Sequence, residues 1–205
     1  MNISLNNTGK RFNREWIFRK LDYRFLQDKS YAITGTNGSG KSTLLQIIAG
    51  ATLHSEGTIE YSSVQLNEIS APENAYKQIA IAAPYLDLIE EMTAAEFLTF
   101  HSAFKPLTTT FTEILLTVGL QKAADKQIRY YSSGMKQRLK LAQAFFSQTS
   151  VLLLDEPTTN LDEEGIEVFN NLWAKNTVNR LVIVSSNDKM EYKNCNDVIR
   201  IGDYK

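Results

Sequence analysis

The sequence predicts an α/β fold built on a parallel β-sheet with helices on both faces. Continuous apolar segments at 31–34, 151–154 and 181–184 are typical of buried strands, and stretches with helical periodicity separate them. Strands that alternate with helices pair in parallel, because each crossover helix packs back onto the sheet. A chain of 205 residues, 43% of them apolar, can bury the core that this fold needs.

Each predicted element follows from a local pattern. Mixed apolar and charged stretches in the first 30 residues indicate short strands with one face in water. Leu44, Leu45 and Ile48 give one helix its apolar side, and Gly50 ends it. The helical pattern from 93 to 146 indicates an inserted helical subdomain. In chain order the predicted strands are 31–34, 57–61, 79–83, 151–154, 181–184 and 198–201, and the predicted helices are 41–49, three within 93–146, and 163–175.

Composition and charge exclude several classes of protein. The net charge of −1, from 22 basic and 23 acidic residues, disfavours nucleic acid as the main ligand, since no basic excess exists to neutralise a phosphate backbone. The single Cys195 excludes an intramolecular disulfide, and two histidines do not make a metal centre. The N-terminus lacks a signal-peptide pattern, and no apolar run approaches the ~20 residues of a membrane span. We therefore expect an intracellular chain that does not itself cross a membrane.

A glycine-rich turn between a predicted strand and a predicted helix carries the first chemical signal. Residues 35–43, GTNGSGKST, fit the pattern G-x-x-x-x-G-K-[ST] in the strand–helix context that the pattern requires. Glycines let successive backbone N–H groups point into one concavity, and the helix N-terminus adds positive potential. Lys41 would reach the β- and γ-phosphates of a nucleotide, and the Ser42 hydroxyl would ligate Mg²⁺. The phosphate-binding residues predicted here are Gly35, Thr36, Asn37, Gly38, Ser39, Gly40, Lys41, Ser42 and Thr43.

Two adjacent carboxylates form a second chemical signal, at the end of the apolar strand 151–154. Asp155 lies 114 residues after Lys41, and Glu156 follows it directly. Alternation along a strand aims neighbouring side chains in opposite directions, so the two carboxylates can take different roles. Asp155 would belong to the Mg²⁺ shell, and Glu156 would act as the base beside the attacking water.

Three ordered motifs resemble those of the ATP-binding-cassette (ABC) ATPases. Residues 131–138, YSSGMKQR, are similar to the family's LSGGQ-x-Q-R signature, with Ser132 placed 23 residues before Asp155. Residues 155–162, DEPTTNLD, resemble the Walker B and D-loop run, and GTNGSGKST resembles Walker A. The resemblance covers nearly the whole chain.

The resemblance implies a P-loop NTPase with a RecA-like core, an N-terminal antiparallel β part and an inserted helical subdomain. It implies one ABC ATPase domain over 1–205, with about 84–146 as the helical subdomain that ends in the signature. It also implies a head-to-tail dimer with two sandwiched ATP molecules, in which Ser132 and the N–H of Gly134 touch the partner's γ-phosphate. An aromatic residue stacks on adenine in the family; Phe12 matches best by position and Trp16 second. Phe12 as an ordinary core strand residue is the alternative.

The sequence departs from the family at several positions. Ser133 and Met135 replace a Gly and the Gln of the signature. Pro84 stands where the Q-loop glutamine is expected, and a shift of one residue would place Tyr85 there. Asn187 occupies the position of the switch histidine; it can hydrogen-bond a γ-phosphate but cannot titrate near neutrality. We assign Lys41, Glu156 and Asn187 as the candidate catalytic residues.

The resemblance favours the ATPase subunit of a membrane transporter. Its partners would be an integral membrane permease on another polypeptide and a second ABC chain, with no nucleic acid. It would lie on the inner face of the cell membrane through the permease. Residues 85–89 would form the permease-docking surface or an ordinary buried connection. A soluble assembly factor without a permease, and a weakly hydrolysing subunit of a heterodimer, remain the alternative functions.

Overall fold

The computed structural model describes residues 1–62, 69–70 and 72–205. The described strands form two sheets, and most of the described α-helices follow the sixth strand in the chain. The strands are β1 Asn2–Phe12, β2 Glu15–Phe25, β3 Ser30–Thr34, β4 Glu56–Ser62, β5 Ile69–Ser70, β6 Ile79–Ala82, β7 Val151–Asp155, β8 Leu181–Ser185 and β9 Asp197–Arg200, and the α-helices are α1 Lys41–Ile48, α2 Pro72–Ala75, α3 Ala94–Ser102, α4 Phe111–Thr117, α5 Ser133–Phe146, α6 Glu163–Asn176 and α7 Lys189–Tyr192.

The central sheet is parallel throughout, in the order β6-β7-β8-β3-β9. All five residues of β7 are buried, because both faces of the strand are covered. Leu152 and Leu154 pack into a core shared with α3 to α6, whereas Val151 and Leu153 pack into a second core shared with α1 and the antiparallel sheet. The predicted parallel sheet with two covered faces is confirmed.

An antiparallel sheet, in the order β2-β1-β4-β5, carries the N-terminal part of the chain. Strands β1 and β2 have 11 residues each and are longer than the short strands expected. Bulges interrupt the pairing of β1, and Asn7 in one of them has a φ of 48°. Gly57 lies against this bulge, where an added Cβ would meet the carbonyl oxygen of Asn7 at 2.2 Å. The close contact between this bulge and β4 therefore requires glycine at position 57.

The helices α3, α4 and α5 lie between β6 and β7, as the sequence predicts. Thr93 and Glu96 form a reciprocal capping box at the start of α3. Ser132 caps α5 by accepting a hydrogen bond from the N–H of Met135 at 3.2 Å. Among the described residues, no helix combines the length and the apolar character that crossing a bilayer requires.

The end of the chain differs from the prediction in one detail. The last strand ends at Arg200 rather than at 201, and Ile201–Tyr204 form a 3₁₀ helix. This turn places Ile201, which is fully buried, directly beneath Gly35. Ile201 therefore packs under the glycine-rich turn and does not extend the strand.

Candidate functional site

Three parallel strands end at one edge of the central sheet, and the candidate site lies there. The glycine-rich turn follows β3, Asp155 ends β7 and Ser185 ends β8. Asp155 and Ser185 are paired in register, and Ile33 of β3 is paired with the same serine. The carboxyl edge of a parallel sheet is where ligands bind in open α/β folds, and here it collects all the catalytic candidates.

The turn over 35–40 forms a concave cradle whose shape depends on glycine. Gly35, Gly38 and Gly40 have φ values of 152°, 76° and 105°. A Cβ at Gly40 would lie 2.3 Å from Cγ2 of Ile17, so a side chain at this position has no room. A cavity of about 240 Å³ opens above the cradle, lined by Ile17, Asn37, Gly38, Gly40, Lys41, Ser42, Thr43 and Glu156.

Lys41 lies under the cradle and is 5% exposed. Its Nζ donates hydrogen bonds to the carbonyl oxygens of Gly35 at 2.9 Å and Thr36 at 3.4 Å. These contacts hold the ammonium group at the N-terminus of α1, where the first backbone N–H groups have no partner within the helix. The cradle therefore concentrates positive potential at one point, which suits a polyphosphate.

Asp155 and Glu156 occupy different environments, as alternation along the strand predicts. Asp155 is 2% exposed, and its Oδ1 has no hydrogen-bond partner among the described residues. Glu156 lines the cavity and adopts a φ of 42°, in the left-handed region, while its N–H donates to the carbonyl oxygen of Ser185 at 2.9 Å. The first carboxylate is thus buried beneath the site, and the second faces into the cavity.

Asn187 contacts the glycine-rich turn directly. Its Oδ1 accepts a hydrogen bond from the N–H of Gly35 at 3.2 Å, and its Nδ2 donates to Oδ1 of Asn37 at 3.0 Å. The amide therefore bridges the β8 end of the site to the turn that follows β3. The structure brings Asn187 together with Lys41 and Glu156 at this edge of the sheet.

The signature segment lies at the start of α5 and outside the cavity. Ser132 is exposed, and neither it nor Gly134 is among the cavity-lining residues. A Cβ at Gly134 would lie 3.0 Å from the carbonyl oxygen of Asn160, so α5 approaches the turn after Glu156 closely. Gln137, 4% exposed, fixes this contact by donating to the carbonyl oxygen of Pro157 at 2.8 Å.

The segment after β6 also contacts α5. Nζ of Lys140 donates to the carbonyl oxygen of Pro84 at 3.0 Å. The neighbouring Tyr85 is 41% exposed, and burial of its hydroxyl, with the negative charge of Asp155 nearby, raises the pKa of Tyr85 to about 12. Tyr85 thus keeps its proton at neutral pH and presents a polar group on the Asp155 side, which Pro84 cannot do.

The aromatic candidates lie in the hairpin between β1 and β2. Phe12 is 50% exposed and has Nζ of Lys10 at 4.6 Å from its ring centre, so it is not a buried core residue. The Arg19 guanidinium lies 4.0 Å from the Trp16 ring centre. Neither ring lines the cavity; Ile17 does. Sequence reasoning missed Ile17 because an apolar residue in a strand gives no signal of contact with a ligand.

The donor groups present fit Mg²⁺ and a nucleotide triphosphate. The buried Oδ1 of Asp155 lacks a partner in the part of the chain that the structure describes, and a carboxylate and a hydroxyl are oxygen ligands of the kind Mg²⁺ prefers. Ser42, which lines the cavity, supplies the hydroxyl. Within the described ranges no group of three or more His, Cys, Asp or Glu side chains could hold a metal ion by itself. A Mg²⁺ ion here would therefore share its coordination with phosphate oxygens and water.

Comparisons with known proteins agree with this geometry. The family model described as ABC transporter matches residues 18–159. An uncharacterised ABC transporter ATP-binding protein of Bacillus subtilis, YybJ, is 30% identical over 91% of this chain and 86% of its own length. The cytochrome c biogenesis ATP-binding export protein CcmA of Xylella fastidiosa is 35% identical over 76% of this chain and 70% of its own length.

A solved structure supports the fold over the full chain. A putative ABC transporter ATP-binding protein from Pyrococcus furiosus superimposes with a TM-score of 0.82 at 17% identity, and covers 100% of both chains. The fold likeness over the full chain therefore agrees with the sequence relationship. The chain belongs to the ABC transporter family, as an ATP-binding protein that carries the family's nucleotide-binding fold.

Proposed function

We propose that the chain hydrolyses ATP with Mg²⁺ and that hydrolysis drives transport through a separate membrane permease. One observation carries the proposal: residues of the cradle, Lys41, Ser42 and Glu156 line one cavity, and the residue directly before Glu156 is Asp155, a buried carboxylate whose Oδ1 has no hydrogen-bond partner among the described residues. Phosphoryl transfer needs positioning and electrostatic stabilisation more than covalent chemistry, and this arrangement supplies both. The CcmA relatives are named ATP-binding export proteins, which supports the proposed role in transport.

Each side chain takes a role that its surroundings suit. The N–H groups of the cradle would bind the β-phosphate, and Lys41 would leave its carbonyl partners to bind the γ-phosphate. Ser42 and Asp155 would hold Mg²⁺, which supplies neutralising charge between the phosphates. Glu156 would take a proton from the attacking water, since its carboxylate faces the cavity. The Asn187 amide would orient the γ-phosphate by hydrogen bonds alone.

We propose that the ATP site is completed by a second ABC chain. Ser132 and Gly134 lie at an exposed helix start and outside their own chain's cavity. The helix start of one chain would therefore face the γ-phosphate of the other, with Thr36, Ser39 and the rest of the cradle beneath it. Phe12, half-exposed, is available to stack on adenine, an interaction worth ~1–3 kcal/mol between aromatics and bases.

We further propose that the permease docks near residues 85–89 and holds the chain at the inner face of the membrane. Tyr85 and Ile89 are 41% and 38% exposed, while Leu88 is buried. Apolar side chains left partly exposed beside the site suit a partner helix. The whole chain, 1–205, would act as one ATPase domain with 84–146 as its helical subdomain.

A second candidate function is a weakly hydrolysing subunit of a heterodimer. Two substitutions favour it: Pro84 offers no amide side chain to the site, and Asn187 cannot carry a proton. The intact Lys41, Asp155 and Glu156 favour the hydrolysing reading instead.

ATP turnover of the Glu156→Gln variant tests the proposal. We expect turnover to fall by ~10²–10⁴-fold, the range for loss of a general base, with nucleotide binding retained. Glu163→Gln, an exposed carboxylate at the start of α6, is the matched control and should leave turnover unchanged. A loss of less than about threefold on Glu156→Gln would remove Glu156 from the role of base.

Capture of tagged Glu156→Gln protein from its native cells with Mg-ATP tests the partner. A stoichiometric membrane protein would support the transporter. Recovery of only soluble proteins from well-solubilised membranes would favour an assembly factor, and a second, distinct ABC chain would favour the heterodimer.

A further inference from the structure

A buried carboxylate joins the segment after β8 to the turn after β7. Glu191, in α7, is 5% exposed. Its Oε1 accepts a hydrogen bond from the backbone N–H of Thr158 at 2.7 Å and another from the Thr158 hydroxyl at 2.5 Å. Thr158 lies two residues after Glu156. We call Glu191 and Thr158 the clasp.

The clasp holds a turn that contains an unfavourable backbone conformation. Glu156 has a φ of 42°, which residues other than glycine rarely adopt, and Asn160 has a φ of 65° in the same left-handed region, which asparagine tolerates better. Such conformations persist only where the surroundings fix them, and they cluster at active sites. Within the turn the N–H of Thr159 donates to the carbonyl oxygen of Glu156 at 3.2 Å, and Gln137 holds Pro157 from the α5 side. The clasp fixes the opposite side of the same turn.

The other end of the clasp leads back to the phosphate cradle. Asp188 caps α7 by accepting a hydrogen bond from the N–H of Met190 at 2.8 Å. Asn187 immediately precedes this cap and bonds both Gly35 and Asn37. Asn187 and Glu191 are therefore separated by a single helical turn, so a displacement of Asn187 would shift Glu191 as well.

We propose that Glu191 is a positioning residue, which holds Glu156 in its catalytic orientation and couples the 156–160 turn to the nucleotide through Asn187. The inference rests on the proposed ATPase function and deepens it. Glu191 does not line the cavity, so it acts through Thr158 and not on the nucleotide itself. Nothing in the motif pattern marks Glu191, because its partner is 33 residues away in the sequence.

The chemistry of the clasp predicts an order of effects among variants. Glutamine keeps an acceptor oxygen of the same reach, so Glu191→Gln should preserve both bonds from Thr158. Alanine leaves two half-buried donors of Thr158 without their partner and frees the turn. Thr158→Val keeps the shape but removes the hydroxyl bond, and Thr158→Ser keeps both bonds. We therefore expect the alanine variant to be the most impaired and the glutamine and serine variants to be close to wild type.

Steady-state hydrolysis and nucleotide binding test the positioning role. A displaced base loses rate without losing nucleotide contacts, so Glu191→Ala should lower kcat by ~10–100-fold and change the Kd for ATP by less than about threefold. Glu191→Gln should restore kcat to within about threefold of wild type. Glu167→Ala, an exposed carboxylate of α6, is the control and should leave kcat unchanged. An alanine variant with a kcat within about twofold of wild type would overturn the inference.

Amide hydrogen exchange tests the coupling separately from hydrolysis. In the wild type, Mg²⁺ with a non-hydrolysable ATP analogue should slow exchange in 35–43 and in 156–162. In Glu191→Ala the response should persist in 35–43 and disappear from 156–162. Persistence of both responses would overturn the coupling, and so would a wild type without a response in 156–162. If the alanine variant does not fold, Thr158→Val is judged by the same criteria.

The two proposals fail in different ways. A wild-type chain that binds no ATP in 35–43, or whose turnover equals that of Lys41→Ala, contradicts the ATPase function itself. A wild type that hydrolyses ATP while the Glu191 variants match it contradicts only the clasp.

Discussion

Replacing Arg180 with methionine should destabilise the protein by about 3 kcal/mol, because one buried guanidinium binds the ends of two helices. Arg180 is 8% exposed and precedes β8. It donates to the carbonyl oxygens of Phe145 at 2.8 Å, Ala144 at 3.3 Å and Asn176 at 3.3 Å, and to the hydroxyl of Thr149 at 2.7 Å. These carbonyls lie at the carboxyl ends of α5 and α6, where the helix dipole favours a cation.

The magnitude is a balance between hydrogen bonds and desolvation. Two short and two longer charge-assisted bonds contribute together ~5–8 kcal/mol, at ~1.5–3 kcal/mol for a good one. Burial lowers the pKa of Arg180 from 12.5 to about 10. A shift of that size corresponds to ~3 kcal/mol against the charged form, at ~1.36 kcal/mol per pKa unit. The net stabilisation that methionine would lose is therefore ~2–5 kcal/mol.

Thermal unfolding followed by circular dichroism at pH 7 measures this effect. For a domain of this size ~3 kcal/mol corresponds to a fall in Tm of ~6–12 °C. Lys175→Met is the matched control: Lys175 is exposed in the last turn of α6, so the same charge is removed from the same helix end without burial. The control should lose less than ~1 kcal/mol. An Arg180→Met protein as stable as wild type would refute the reasoning, since desolvation would then cancel the four bonds.

Two further predictions concern single side chains, Asn187 beside the cradle and His101 in α3. Asn187→His should raise basal ATP turnover by at least about threefold, because imidazole adds a group that titrates near neutrality; an unchanged rate would mean that the amide already suffices. Burial, with Lys105 nearby, lowers the pKa of His101 to about 4. The unfolded chain therefore binds this proton first, and stability should fall from pH 7 to 5 by ~1 kcal/mol, about half the unscreened value because the ring is partly exposed. Glutamine can still donate a hydrogen bond to Ser147, so His101→Gln should remove this loss of stability between pH 7 and 5, measured by urea unfolding. A variant whose stability depends on pH in the same way as the wild type would contradict the prediction.

The elements that the sequence predicts well are those with a local cause. The glycine pattern of 35–43 determines a strand, a cradle and a helix, and the structure places β3 and α1 on either side of it. The continuous apolar runs of β7 and β8 are buried on both faces, as predicted. Three candidate site residues, Lys41, Asp155 and Glu156, belong to local sequence patterns of this kind and can therefore be located from the sequence.

Features determined by distant contacts escape sequence reasoning. The bulge at Asn7 lies against Gly57 of another strand, and Ile201, directly after β9, packs beneath Gly35. Arg180 is an unpaired basic residue in the sequence, and only the convergence of two helix ends gives it acceptors. Glu191 is an ordinary carboxylate until the turn after β7 lies against it. In each case the contacting residue is distant in the sequence, so only the folded structure shows the contact.

Under the proposed function, we expect the departures from the family's motifs to alter the proton chemistry of the site more than its architecture. Asn187 reaches the cradle through two hydrogen bonds, yet an amide carries no proton that could be transferred near neutrality. Tyr85, whose raised pKa keeps it protonated, can donate a hydrogen bond but cannot act as a base at neutral pH. Among the described side chains that line the cavity, Glu156 is the one carboxylate. Under the proposed function, we therefore expect proton removal from water to depend on Glu156, and turnover to depend on the groups that hold Glu156 and its turn: Ser185, Gln137 and Glu191.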